Sequence, residues 1–303
     1  MPMPISTPTT QPAPVVVGRW TVVPVIDAVG PAMQARAAFP ALPPDELTAL
    51  LSEFGDAHST PDRRQLVLAS QGFAILGPGR VILVDTCLGG PKVPGGTGMR
   101  GFSSQWLASL EAAGAPVEAV DTVINTHLHH DHVGWNTHLD EDGAQTATFP
   151  AAHYLVARAD YEHFAGSPGT PPQRHIEECI APLHRAGILE QVTGEVRIDD
   201  GVRLVPAPGH TPGHLLVEVS GDGRRVLLAG DLIHHPLQLR RPDVSAAMCV
   251  DPHRSAATRL EVLDRYADTD TVFLASHLPR GGVLRRGGDA FLLEPEGPLR
   301  SLV

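Results

Sequence analysis

The chain has 303 residues, 23 basic and 34 acidic side chains, a formal net charge of −11 and 42% hydrophobic content. That is ample for one large domain or two small ones with a sizeable core. The acidic balance and the lack of any Lys/Arg-rich run argue against a nucleic-acid surface, which needs basic groups to meet phosphate.

No stretch approaches the roughly 18 consecutive apolar residues of a membrane span. Cys87, Cys179 and Cys249 are far apart and odd in number, so they imply no disulfide framework and fit a reducing cytoplasm. Residues 1–14 are rich in proline and threonine and lack the charged and apolar regions of a signal peptide. They read as a flexible, disordered or extended arm ahead of a single domain over 15–303.

Val15 to Val29 predicts one or two strands. Pro43-Pro44-Asp45 opens a short helix with Asp45 as its N-cap and Leu47, Leu50, Leu51 and Phe54 as its apolar face. Gln65 to Leu76 and Arg80 to Thr86 read as a hairpin turned by Gly77-Pro78-Gly79. A Gly/Pro-rich loop over 89–101 follows, then a helix from Ser103 to Ala113.

Residues 119–125 are largely β-branched and apolar and predict a buried strand ending at Thr126. Immediately after it comes His127-Leu128-His129-His130-Asp131-His132. Three of these histidines and the carboxylate cannot all hide in an apolar core, where each unpaired group costs several kcal/mol, roughly. A metal, or two, satisfies them together. His127 and His129 share a face of an extended segment, whereas His130 points away and is read as exposed.

Asn136 to Thr148 is polar and reads as an exposed loop, Tyr154 to Ala157 as a strand, and Ala159 to Phe164 and Pro172 to Ala186 as helices. Short strands follow at 196–198, 202–205, 215–219 and 225–229, then a helix over 251–267 and a last strand over 271–275. Three more metal-competent side chains stand at strand ends in this half. His210 lies in Pro206-Ala207-Pro208-Gly209-His210, Asp231 ends 226–231, and His277 ends 272–277. Eight of the sixteen histidines fall inside 127–132 and 210–235, which points composition at the same chemistry. His214 is read as structural.

The set His127-x-His129-x-Asp131-His132, then His210, Asp231 and His277, resembles the metallo-β-lactamase superfamily in content, order and spacing over residues 65–280. Gly230-Asp231-Leu232-Ile233-His234 and Ala275-Ser276-His277-Leu278-Pro279 resemble its methyl parathion hydrolase branch, a neighbour of the N-acyl-homoserine-lactone lactonases. The fold expected is α+β: a four-layer αββα sandwich of two mixed β-sheets flanked by helices.

The resemblance implies a two-metal site. His127, His129 and His210 would hold one divalent ion, Asp131, His132 and His277 the other, and Asp231 would bridge them. Zinc is the expected metal, with iron, manganese and cobalt compatible with the same ligands. Two such ions bring a bridging water to near-neutral pKa, so a hydroxide attacks a small ester, lactone or phosphotriester, with Asp131 able to accept a proton and no serine or cysteine nucleophile. The lactonases carry a tyrosine three residues after the bridging aspartate, and here that position is His234.

Asp85 is expected to orient a ligand histidine, and Trp135, Phe102 and His234 are candidates for the substrate pocket. Alternatives on the same scaffold are a β-lactamase, a thioesterase or a mononuclear-iron persulfide dioxygenase. The expected partner is a small molecule, with no nucleic acid or membrane, and a homodimer is compatible with the family.

Overall fold

The computed structural model describes residues 5–92, 104–166 and 172–295. The chain opens with strands β1 (Val15–Val17) and β2 (Trp20–Gln34), helices α1 (Ala35–Ala38) and α2 (Pro44–Phe54), and strands β3 (Gln65–Gly77) and β4 (Arg80–Val84). Helix α3 (Trp106–Ala112) leads to β5 (Thr122–Ile124), a ribbon of β6 (Thr137–Leu139) and β7 (Gln145–Ala147), and β8 (His153–Ala157). Helices α4 (Arg158–Phe164), α5 (Arg174–Cys179) and α6 (Ala181–Arg185) precede β9 (Leu189–Val192).

The second half carries β10 (Val196–Asp199), β11 (Val202–Pro206), β12 (Leu215–Gly221) and β13 (Arg224–Leu228). Helices α7 (Leu237–Arg240) and α8 (Pro252–Tyr266) follow, then β14 (Thr271–Leu274), β15 (Gly282–Gly287) and β16 (Ala290–Glu294).

These strands form two seven-stranded mixed sheets, β1-β2-β3-β4-β5-β8-β9 and β10 through β16 in sequence order. In the first, β4, β5, β8 and β9 run parallel, and in the second only β13 and β14 do. Val22, Phe73, Ile75, Ile82 and Ile124 of the first sheet pack on Val217, Val219, Val226 and Val272 of the second. The outer face of the first sheet packs on Trp106 and Leu110 of α3, and that of the second on Val262, Leu263 and Tyr266 of α8. The result is the four-layer αββα sandwich. Central strands such as β13 send Val226 and Leu228 inward and Leu227 outward, so both faces are buried and the sequence shows an unbroken apolar run.

Several local expectations change. Residues 136–148 are not an exposed loop but the β6-β7 ribbon, with Asn136 and Thr137 buried. The strand at 271–274 is not the last: β15 and β16 continue the sheet, disguised by Gly and Arg at its edge. Strand β9 is an unpredicted edge strand. The helix expected over 172–186 is two, with Pro182 starting the second, as proline fits the first turn and not a helix interior. Pro43, not Asp45, occupies the N-cap of α2, and Asp45 sits in its first turn. Gln105 occupies the N-cap of the helix at Trp106–Ala112 without a side-chain cap bond, Ser104 just before it accepting from the Trp106 amide at 3.2 Å, and Asp251 caps α8 through the Arg254 amide at 2.9 Å. Ser6, Thr7 and Gln11, ahead of β1, bond to β2 at Val29, Asp27 and Ile26.

Candidate metal centre

The metal-competent side chains gather at one end of the two sheets, because β4, β5, β13 and β14 all finish there. Such a rim is where α/β architectures place ligands. His127, His129 and His132 leave the segment after β5, His210 and His214 the loop after β11, Asp231 and His234 the turn after β13, and His277 the turn after β14. Gly230 makes that turn possible: its φ is +50°, and a Cβ there would stand 2.7 Å from His214 Nε2.

His127 Nε2, His129 Nδ1 and His210 Nε2 form a triangle with sides of 3.0, 3.0 and 3.1 Å. These three and Asp231 bring their donor atoms within 4.8 Å of one another, as do Asp131, His132 and His277. Asp231 lies between the groups. Its Oδ2 is 3.3 Å from His210 Nε2, 3.6 Å from His127 Nε2 and 3.1 Å from His277 Nε2, while its Oδ1 is 3.3 Å from His132 Nε2.

The outward ring nitrogens are tied down. His132 Nδ1 donates to Asp85 Oδ2 at 2.8 Å, and His277 Nδ1 to the Ala69 carbonyl at 2.8 Å. Thr126 Oγ1 gives its proton to Asp85 Oδ2 at 2.8 Å, so it accepts from His127 Nδ1 at 3.1 Å. His210 Nδ1 meets Cys249 Sγ at 3.5 Å. With these protons placed outward, the Nε2 lone pairs face inward, which is how metal-binding histidines are held.

The electrostatics agree. Burial holds His127 and His210 far below the usual histidine value and takes His129 down to about 4, so each is neutral with a free lone pair. One proton among three such nitrogens satisfies a single pair, whereas one cation satisfies all three. At the other group burial alone would also lower His132 and His277. The carboxylates of Asp231, Asp85 and Asp131 around His132, and of Asp231 and Asp131 around His277, outweigh it, raising His132 well above its usual value and His277 to about 9. A field that stabilises positive charge there stabilises a cation equally. His132 Nε2 and Asp231 Oδ1 are buried and make no hydrogen bond. The donor set therefore fits a pair of divalent ions.

Asp85 stands where a ligand-orienting carboxylate was expected. His130 is about half exposed, at 47%, and His214 is structural, accepting from the Asp231 amide at 3.0 Å. His234 is buried at the floor of a cavity lined also by His129, Asp131, Asp231 and His277, stacked on His277 at 5.4 Å, with Nε2 3.2 Å from Asp231 Oδ2 and neither ring nitrogen hydrogen-bonded. Trp135 does not line the cavity. The 3-10 turn at Gly134–Asn136 swings it back to donate to Ser104 Oγ at 3.0 Å and pack in the α3 layer. Phe102 lies outside the described residues.

Two contributors escape sequence reading. Buried Asp160 accepts from the Leu128 amide at 3.2 Å and Thr211 Oγ1 at 2.9 Å, joining the His127 and His210 loops, and burial raises it to about 6. Cys249, read as an unpaired cysteine, sits behind His210. Neither has a local motif; both matter only through partners distant in sequence.

Residues 67–277 match the family profile of the metallo-beta-lactamase superfamily, and the chain belongs to that superfamily. An N-acyl homoserine lactonase from Bacillus sp. is 34% identical over 116 residues, which span 38% of this chain and 39% of that lactonase. A probable metallo-hydrolase from Mycobacterium bovis is 27% identical over 239 residues, 71% of each chain. Among solved structures, the dizinc quorum-quenching lactonase AidC superposes with a TM-score of 0.76 at 20% identity, over 95% of this chain and 98% of that one. The hydrolase AbOPH superposes with a TM-score of 0.76 at 22% identity, over 94% and 97%.

Proposed function

We propose that this chain is a dinuclear metal hydrolase that opens a small lactone or cleaves a small ester. His127, His129 and His210 would hold one ion and Asp131, His132 and His277 the other, with Asp231 available to both. The observation that carries this is Asp231, whose carboxylate reaches histidines of both groups: Oδ2 stands 3.3 Å from His210 and 3.1 Å from His277, and Oδ1 3.3 Å from His132. A one-metal reading, such as the persulfide dioxygenase, leaves the group of Asp131, His132 and His277 assembled without a use.

Two divalent ions held there would supply a water of near-neutral pKa and a Lewis acid for the substrate oxygen. The protein contributes the rest. Asp131, with its carboxylate held below the usual range by His132 and His277 against the effect of burial, stays ionised and is placed to accept a proton. His234, neutral because burial lowers it, replaces the lactonase tyrosine as the polar group beside the reacting bond. The cavity above them, walled largely by apolar side chains, favours an aliphatic group on the substrate.

Lactone and ester substrates are favoured by the lactonase relatives. The test is the purified protein with its metal counted, assayed on γ- and δ-lactones, N-acyl homoserine lactones, aryl esters, a paraoxon-like phosphotriester, nitrocefin and glutathione persulfide. About two zinc ions per chain are expected, with lactone or ester hydrolysis abolished by a chelator and restored by zinc. One iron per chain with oxygen consumption overturns the reading.

A further inference from the structure

The cavity above the metal centre, about 350 Å³, has polar groups below and an apolar wall that includes Ile5, Ala28, Met33, Leu68, Leu88 and Met248. Ile5 is the outlier, because it precedes every strand. It arrives there because β1 covers only the Trp20 to Val22 end of the β2 edge. An uncovered strand edge presents unpaired amides and carbonyls that seek a partner, and residues 6–11 supply one. Ser6 and Val29 exchange both backbone hydrogen bonds, at 3.1 and 2.9 Å. Thr7 Oγ1 donates to the Asp27 carbonyl at 2.8 Å. The Gln11 side chain brackets Ile26, donating to its carbonyl at 3.0 Å and accepting from its amide at 2.7 Å.

Gly30 is the seat. A Cβ at that position would stand 2.8 Å from Ile5 Cα and 3.0 Å from Ile5 Cγ1, and its three nearest atoms all belong to Ile5. The φ of Gly30 is ordinary, so glycine is needed there for the approach of the arm and not for the strand.

We propose that Ile5 is a specificity-determining residue, and that the N-terminal arm sets the depth of the cavity and hence the length of aliphatic chain a substrate carries beside the bond that is hydrolysed. This rests on the hydrolase reading above and names its substrate class: a neutral ester or lactone bearing an unbranched acyl or alkyl group. The arm is held by edge-strand hydrogen bonds, so its side chain subtracts from cavity volume without belonging to the core. Each methylene denied burial weakens binding about fourfold.

The experiment compares the metal-loaded wild type with Ile5→Trp, Ile5→Ala and Gly30→Ala. The dissociation constants of butyrate and decanoate are measured by titration calorimetry, with thermal unfolding to verify the fold. Wild type binds decanoate more tightly than butyrate. Ile5→Trp shrinks that preference about tenfold, while Ile5→Ala and Gly30→Ala, by trimming or lifting the arm, widen it about threefold. A wild type without the preference, equal preferences in all four proteins, or a shift in the same direction for Ile5→Trp and Ile5→Ala overturns the proposal. Kinetics on p-nitrophenyl esters from acetate to decanoate run in parallel. If none is hydrolysed the hydrolase reading is in doubt, while the calorimetry still decides the role of Ile5.

Discussion

Asp85 Oδ2 receives the Nδ1 proton of His132 at 2.8 Å, and the other oxygen of the same carboxylate accepts from the Thr126 amide at 2.7 Å. Asp85 adopts a φ of +59°, a conformation that Asp and Asn tolerate better than other side chains. That backbone turn at the end of β4 aims the carboxylate across to the histidine loop. Asp85→Asn keeps the shape and the tolerated φ but removes the charge that orients His132. Metal affinity is expected to fall about 10–100-fold, read by competition with a chromophoric chelator. An unchanged affinity would show that His132 is positioned by something else.

His277 and His210 belong to different groups, and the Asp231 carboxylate reaches both. His277→Ala and His210→Ala should each reduce metal content from about two ions per chain to about one, since each site loses one of three or four donors. Elemental analysis of the dialysed proteins decides it. Two ions retained in His277→Ala would remove the second site as drawn.

His58 stacks edge-on with Phe54 and His235, and its Nδ1 is buried without a partner. Burial lowers His58 to about 4 and His235 to about 3. A histidine kept neutral in the folded chain gains its proton on unfolding. Stability is therefore complete above about 6.5 and declines as pH falls from there towards about 4. His58→Phe loses no hydrogen bond and removes one of these protons. Its Tm should exceed that of wild type, by more at pH 5 than at pH 7.5. Parallel Tm curves for the two proteins would contradict the assignment.

Arg259 is fully buried and, among the described residues, no carboxylate pairs with it. Its guanidinium donates to the carbonyls of Leu232, Pro242 and Val244 at 2.8, 2.7 and 3.0 Å and to Ser255 Oγ at 3.0 Å. Burial lowers it only to about 10, so it remains charged. Arg259→Met strands the Leu232 and Pro242 carbonyls, while Val244 keeps Gln238 Nε2 at 3.0 Å; at about 1 kcal/mol or more each, the chain should be destabilised by about 2 kcal/mol in urea unfolding. Because Leu232 directly follows Asp231, metal affinity should drop with it. A variant as stable as wild type would mean those carbonyls find other donors.

Much of the candidate site is legible in one dimension because four of its seven candidate ligands are local. His127, His129, Asp131 and His132 lie within six residues, and Asp231 and His277 each end an apolar run that can only be an interior strand. Edge elements were less readable. Strand β9 and the pair β15 and β16 lack the two-sided burial that gives β13 its unbroken apolar signature, and the β6-β7 ribbon is polar because only part of it faces the core.

By itself the sequence determined which side chains can bind metal, that they stand at strand ends, and that the fold is an αββα sandwich. Only the tertiary structure decided which oxygen of Asp231 faces which histidines, that Asp85 serves His132 and Cys249 backs His210, and that Trp135 turns away from the cavity while Ile5 reaches into it. The physical reason is distance along the chain. Ligand identity is a property of single residues and their neighbours, whereas the groups that orient ligands and shape the cavity meet across sheet pairings and loops, where a shift of one residue in register would replace every partner.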